Sequence, residues 1–215
     1  MKTMKKNTLG INAMLIATML IAAMLFVSLT TSCASTGGGE GAAGSAGLIW
    51  SFANPANDVQ GWELASSEFY QYRGEANLSY DDTTFGKGLL RLDVDFTETS
   101  HLDWSEPKIK NDFPRAFNMR NVSIFAFDFY YNPSLLNEGN FKPKIFTNNN
   151  GILVDVTGMA IEDGWEEEFE NGFVRQEVII FIPRVAGFMT DMRFSIAGSL
   201  TDYKGPVFFD NMRFE

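Results

Sequence analysis

One cysteine, Cys33, and one histidine, His101, are all that the 215 residues contain of those two types. A single thiol cannot form an internal disulfide, and any Ser-His-Asp or Cys-His arrangement would have to be built on His101 alone. A solvated place at a strand edge accounts for that histidine better. No His and Cys spacing matches a zinc site, and no Gly-rich phosphate loop follows a strand. Internal repeats and long amphipathic helices are also missing. Basic side chains are few, 17 Lys and Arg against 27 Asp and Glu. The clustered cations that bind phosphate backbones are therefore lacking, which excludes nucleic acid as a partner; an anionic membrane surface would repel the body of the protein, whereas a neutral ligand suits this charge. The carboxylates of "DVDF" and "WEEEFE" are the ones that could form a glycosidase pair. Solvated acidic faces explain them better, so the chain is expected to be non-catalytic and to need no cofactor.

What the sequence does have begins at its N-terminus. Lys2, Lys5 and Lys6 precede an apolar run from about Ile11 to Leu29 and then the small residues Thr30, Thr31 and Ser32. That order is the one of a secretory signal over residues 1–32. A transmembrane anchor is the competing reading, since the run is nearly long enough to span a bilayer. "LTTSC" resembles a bacterial lipobox, with Thr30 where such motifs carry Leu, Val or Ile, and the resemblance implies cleavage before Cys33 and a lipid on its sulfur. Lipidation would also remove the liability of a lone thiol in an exported protein. Ala34 is not the Asp that retains lipoproteins at an inner membrane, which favours the outer membrane or cell surface. Cleavage would remove three Lys and no acid, leaving 14 basic against 27 acidic side chains, or −13. Residues 33–47, with the run "STGGGEGAAGSAG", cannot bury a core and are expected to form a flexible tether.

From Leu48 to the C-terminus the pattern changes to short alternating runs with turn signals. In "LLRLDVDF", Leu90, Leu92, Val94 and Phe96 share one face, and Arg91, Asp93 and Asp95 the other. "IFAFDFYY" is apolar on both faces and predicts a central strand. Asn171-Gly172 lies between two such runs, a dipeptide favoured in two-residue hairpin turns that need φ > 0 at both positions. In the second of these runs, Val174, Gln176, Val178, Ile180 and Ile182 alternate with Arg175, Glu177 and Ile179, and "MRFSIAG" and "PVFFDNMRF" follow it. Several short strands of this kind predict an all-β, two-sheet β-sandwich over residues 48–215.

The candidate binding residues start from "HLDWSEPKIK". Strand alternation puts Trp104 on one face with Glu106, Lys108 and Lys110, and Ser105, Pro107 and Ile109 on the other. Packing beneath a loop, a protein contact and a stacking platform all remain open for a Trp on a charged face. Sugar rings present C–H surfaces that stack on flat aromatics, with polar groups at the rim to engage the hydroxyls, and a Trp flanked by Glu106 and lysines fits that need. Trp50, in "LIWSF", is assigned to the core.

Beyond these patterns, the chain from "LIWSFANPANDVQGWE" to "KGPVFFDNMRFE" resembles the family 27 carbohydrate-binding modules, mannan-binding β-sandwiches attached to some bacterial β-mannanases. The shared pieces are "GWE", "GKGLLRLDV", "DWSEPKIK", "FDFYYNP", "FKPKIFTN", "RVAG" and "YKGPVFFDNMRF". The resemblance implies a jelly-roll, galactose-binding-like sandwich, a β-mannan or glucomannan ligand, platform roles for Trp62 and Trp104, and hydrogen bonds from Lys142 and Asn148. The family's third platform tryptophan is replaced here by the "NNNGIL" stretch, with Trp165 a candidate substitute. A structural Ca²⁺ held near both chain ends is implied as well, with Asp210 as one ligand, although Trp50-Ser51-Phe52 supplies no acidic partner for it. Two other roles stay open: a structural or adhesive surface lipoprotein with a degenerate sugar site, and an accessory module for a separately encoded mannanase.

Overall fold

The computed structural model describes residues 49–53, 58–149, 152–161 and 165–215. The expected signal peptide, Cys33 and the tether to residue 47 lie outside the described residues. Among those described, no helix is long and apolar enough to cross a membrane.

Among the described residues, twelve strands make up two antiparallel sheets. One is five-stranded, in the order β2 (Trp62–Leu64), β5 (Lys108–Asn118), β11 (Phe188–Ser199), β7 (Asn140–Asn149) and β8 (Ile152–Thr157). The other is seven-stranded, in the order β3 (Asn77–Asp81), β4 (Leu89–Asp95), β12 (Lys204–Phe214), β6 (Ile124–Tyr131), β10 (Val174–Phe181) and β9 (Glu167–Glu168), with β1 (Ile49–Trp50) also paired to β12. The expected all-β jelly-roll sandwich is the fold observed.

Alternation builds the core. Leu90, Leu92, Val94 and Phe96 face inward from β4 and its end, as do Phe125, Phe127, Phe129 and Tyr131 from β6, and all are buried. Strand β6 lies between β12 and β10, and its second face is covered as well, with Ala126, Asp128 and Tyr130 buried. On the outer side, Tyr130, Leu89 and Phe208 form a smaller cluster roofed by Phe85, Phe169 and Phe173. Between the sheets, Phe127, Phe194 and Phe209 meet edge to face, with ring centroids 4.9–6.0 Å apart, a favoured arrangement for aromatic quadrupoles.

The hairpin at Asn171-Gly172 forms, but with a different turn. Gly172 has φ of 81° and Asn171 is not among the positive-φ residues. Gly172 N–H donates to the Phe169 carbonyl and Phe169 N–H to the Phe173 carbonyl, both at 2.9 Å, the pattern of a three-residue loop closed by a left-handed glycine. Asn171 is left with a negative φ and its carboxamide donates to the Thr84 carbonyl at 3.0 Å, which ties the hairpin to the loop before β4.

Candidate functional site

The outer face of the five-stranded sheet carries a depression of about 510 Å³ lined by Tyr70, Trp104, Glu106, Lys108, Lys144, Phe146, Asp155 and Thr157. Its floor is a cross-strand row, Lys108 on β5, Ser195 on β11, Lys144 on β7 and Thr157 on β8, with each residue opposite the next. The next row sets Arg193, Phe146 and Asp155 side by side. Residues on one face of neighbouring strands stand close enough to form such a floor, and Tyr70, Trp104 and Glu106 join it from the segments outside the named strands.

Trp104 precedes β5 and is half-buried, on the same surface as Glu106 and Lys108, as the alternation predicts. The Lys144 ammonium lies 5.8 Å from its ring centroid, within the range of a cation–π contact. Tyr70 and Phe146 are the other aromatics of the lining, and Tyr70 has half of its surface exposed. It is placed by two backbone hydrogen bonds to Glu106, Tyr70 N–H to the Glu106 carbonyl at 3.1 Å and Glu106 N–H to the Tyr70 carbonyl at 2.9 Å. Tyr70 escaped the sequence reading because nothing within "SEFYQY" says which strand it joins.

The charges of the depression are paired. Lys108 Nζ lies 3.0 Å from Glu106 Oε1, and Lys144 Nζ lies 3.0 Å from Asp155 Oδ1. The other Glu106 oxygen accepts from Ser195 Oγ at 2.9 Å. Two ammonium groups against two carboxylates leave the lining formally neutral. Flat aromatic surface beside a rim of paired donors and acceptors is a combination that can stack a sugar ring and engage its hydroxyls.

The expected site residues do not all gather here. Trp62 is in the core, contrary to the platform role assigned to it: it is 2 % exposed, with its ring 5.2 Å from that of Trp50 and 6.5 Å from that of Phe194. The cause is register. Strand β2 pairs Trp62 with Asn111, an inward position of β5, so Glu63 faces out and ion-pairs with Lys110 at 2.6 Å. Lys142 and Asn148 share the outer face of β7 with Lys144 and Phe146 but lie outside the lining, Lys142 donating to Ser199 Oγ at 3.0 Å. Trp50 is buried, as expected. Trp165 is partly exposed, next to β9 at the edge of the other sheet, and does not line the depression. The carboxylates of "DVDF" and "WEEEFE" are not part of this lining either.

The donor set at Asp210 does not fit a calcium ion. Its Oδ1 accepts from the amides of Phe52 and Asn211 at 3.1 and 2.9 Å, and its Oδ2 faces the Lys87 ammonium at 3.3 Å. Calcium takes about six to eight oxygen ligands, and no group of three or more His, Cys, Asp or Glu side chains suited to a metal occurs among the described residues.

Comparison with solved structures places the molecule among β-sandwich carbohydrate-binding modules by fold. TmCBM27, solved to dissect specific mannan recognition, superposes with a TM-score of 0.57 at 22 % identity, covering 78 % of this chain and 94 % of that one. The Caldicellulosiruptor saccharolyticus module CBM27-1 in complex with mannohexaose gives 0.59 at 19 %, covering 78 % and 95 %. A module specific for non-crystalline cellulose, CBM28, gives 0.57 at 25 %, covering 73 % and 88 %. Among curated proteins no relative is detected. The model of one family, carbohydrate binding module 27, matches residues 45–215, and the chain belongs to that family.

Proposed function

We propose that this module holds a neutral β-mannan or glucomannan chain, without cleaving it, in the depression on the five-stranded sheet. The observation that carries the proposal is the pairing of half-buried Trp104 with exposed Tyr70 on one polar surface whose charges balance. Trp104 and Tyr70 offer ring faces for stacking, Lys108, Lys144, Asp155 and Thr157 offer hydrogen bonds to hydroxyls, and buried Glu106 holds Lys108 in place. Mannan recognition in family relatives supports the choice of polysaccharide. Both carboxylates of the lining are held by lysines, an arrangement suited to binding rather than to acid–base chemistry. Lipid at Cys33 would place the module on the outer membrane or cell surface.

A screen of the protein against immobilised neutral and acidic polysaccharides tests this reading. Retention on β-mannan or glucomannan, with none on polygalacturonate and no release of reducing sugar, is the expected result. Failure to bind any neutral β-glycan would refute it and leave the structural or adhesive role.

A further inference from the structure

On the other sheet, away from the depression, three carboxylates stand side by side. Glu177 on β10 is directly opposite Asp128 on β6, and Asp128 is directly opposite Asp210 on β12. Like charges in such a row repel, and each carboxylate here has its own cation. Arg213 Nη2 lies 2.6 Å from Glu177, Arg175 Nη1 lies 3.0 Å from Asp128, and Lys87 Nζ lies 3.3 Å from Asp210.

Asp210 is the most deeply set of the three, with its side chain 3 % exposed. It also joins the last strand to the segment that follows β1, because its Oδ1 accepts the amide of Phe52, 158 residues earlier. A bulge in β12 between Asp210 and Arg213 puts Asn211 at φ 49° and sends its Nδ2 to Asp128 at 2.6 Å. The Lys87 ammonium is itself fixed, donating to Tyr130 Oη at 2.9 Å and lying 5.2 Å from that ring's centroid. The neighbouring Gly88 lets the Phe52 backbone and the Tyr80 ring pack against this segment: a Cβ there would meet the Phe52 carbonyl oxygen at 2.1 Å and Tyr80 Oη at 2.2 Å. A divalent cation at Asp210 would have to displace the ammonium or share its space, against like-charge repulsion.

We propose that Lys87 supplies from within the chain the positive charge that the Asp210 carboxylate needs, so that the junction of first and last strands is held without a bound divalent cation. The Phe52 amide ties the Asp210 carboxylate to the segment after β1, and the Lys87 ammonium supplies its counter-charge. Removing the ammonium leaves a buried carboxylate unpaired, a strongly destabilising change.

Thermal unfolding of the full chain in EDTA and in added Ca²⁺ tests the proposal, with Lys87→Met, Lys87→Arg and the double variant Lys87→Met/Asp210→Asn beside the parent. The parent is expected to melt at the same temperature in both solutions. Lys87→Met is expected to melt on the order of 5 °C lower, with Lys87→Arg close to the parent and the double variant recovering part of the loss. Should Lys87→Met fail to fold, the arginine and double variants still read out the charge. A parent that loses several degrees in EDTA or gains them with Ca²⁺ overturns the proposal, as does a Lys87→Met protein that melts like the parent.

Discussion

Replacing Trp104 with Ala separates stacking from packing. The ring is half-buried at the rim of the depression, and its removal leaves the Lys144–Asp155 and Lys108–Glu106 pairs in place at 3.0 Å each. The charge balance therefore survives, and a loss of binding reports the lost ring. Stacking of a planar ring on an aromatic side chain is worth roughly 1–3 kcal/mol, with nucleobases as the nearest measured analogue, or about a tenfold to hundredfold loss of affinity. Trp62→Ala is the control of opposite sign. Trp62 is in contact with Trp50 and Phe194, and truncating a buried Trp costs about 3–5 kcal/mol. At about 2–4 °C per kcal/mol for a domain of this size, that variant is expected to melt roughly 6–20 °C lower while its folded fraction still binds. Retardation in a mannan-containing native gel measures the first effect and thermal unfolding the second. If Trp104→Ala migrates through mannan like the parent, or melts as low as Trp62→Ala, the ring is packing and the stacking argument is wrong.

Tyr70→Ala should weaken mannan binding by about tenfold, at the low end of the stacking range, with an unchanged melting temperature, since its side chain is half exposed; a stable variant of undiminished affinity would take Tyr70 out of the site. The Asp81 carboxyl is pushed up by burial, but the amides of Thr84 and Thr83, the Thr84 hydroxyl and Arg91 outweigh that and hold it below its ordinary value of 3.8. A depressed carboxyl stabilises the fold above its unfolded value and loses that contribution as pH falls through its folded one, so melting temperatures recorded from pH 5 downward should drop below about pH 4, and less steeply in Asp81→Asn. Finally, Cys33→Ser should move the protein from the membrane to the soluble fraction, whereas retention there at unprocessed size would mark residues 1–32 as a transmembrane anchor.

Much of the architecture was legible in local patterns because strand alternation is a local property. Leu90, Leu92, Val94 and Phe96 had to share a face, and burial of that face accounts for four apolar residues on the same side of "LLRLDVDF". The same rule grouped Trp104, Glu106 and Lys108, which line the depression together. It could not group Tyr70 or Lys144 with them, because those residues meet Trp104 only through the pairing of Tyr70 with Glu106 and the β5–β11–β7 register.

Strand β2 marks the limit. Three residues, Trp-Glu-Leu, are too few for alternation to say which side is in, and a register displaced by one residue reverses every side chain. Pairing with β5 made the choice, sending Trp62 to the core and Glu63 to the surface. The counter-cation of Asp210 was likewise a tertiary matter, since Lys87 is 123 residues away in sequence. The sequence by itself determined that this chain would form a two-sheet sandwich with a tryptophan on a charged face, because periodicity and residue type act over a few neighbours. Which aromatics would form the surface, and which cation would meet the buried carboxylate, was decided only where strands distant in sequence came into register.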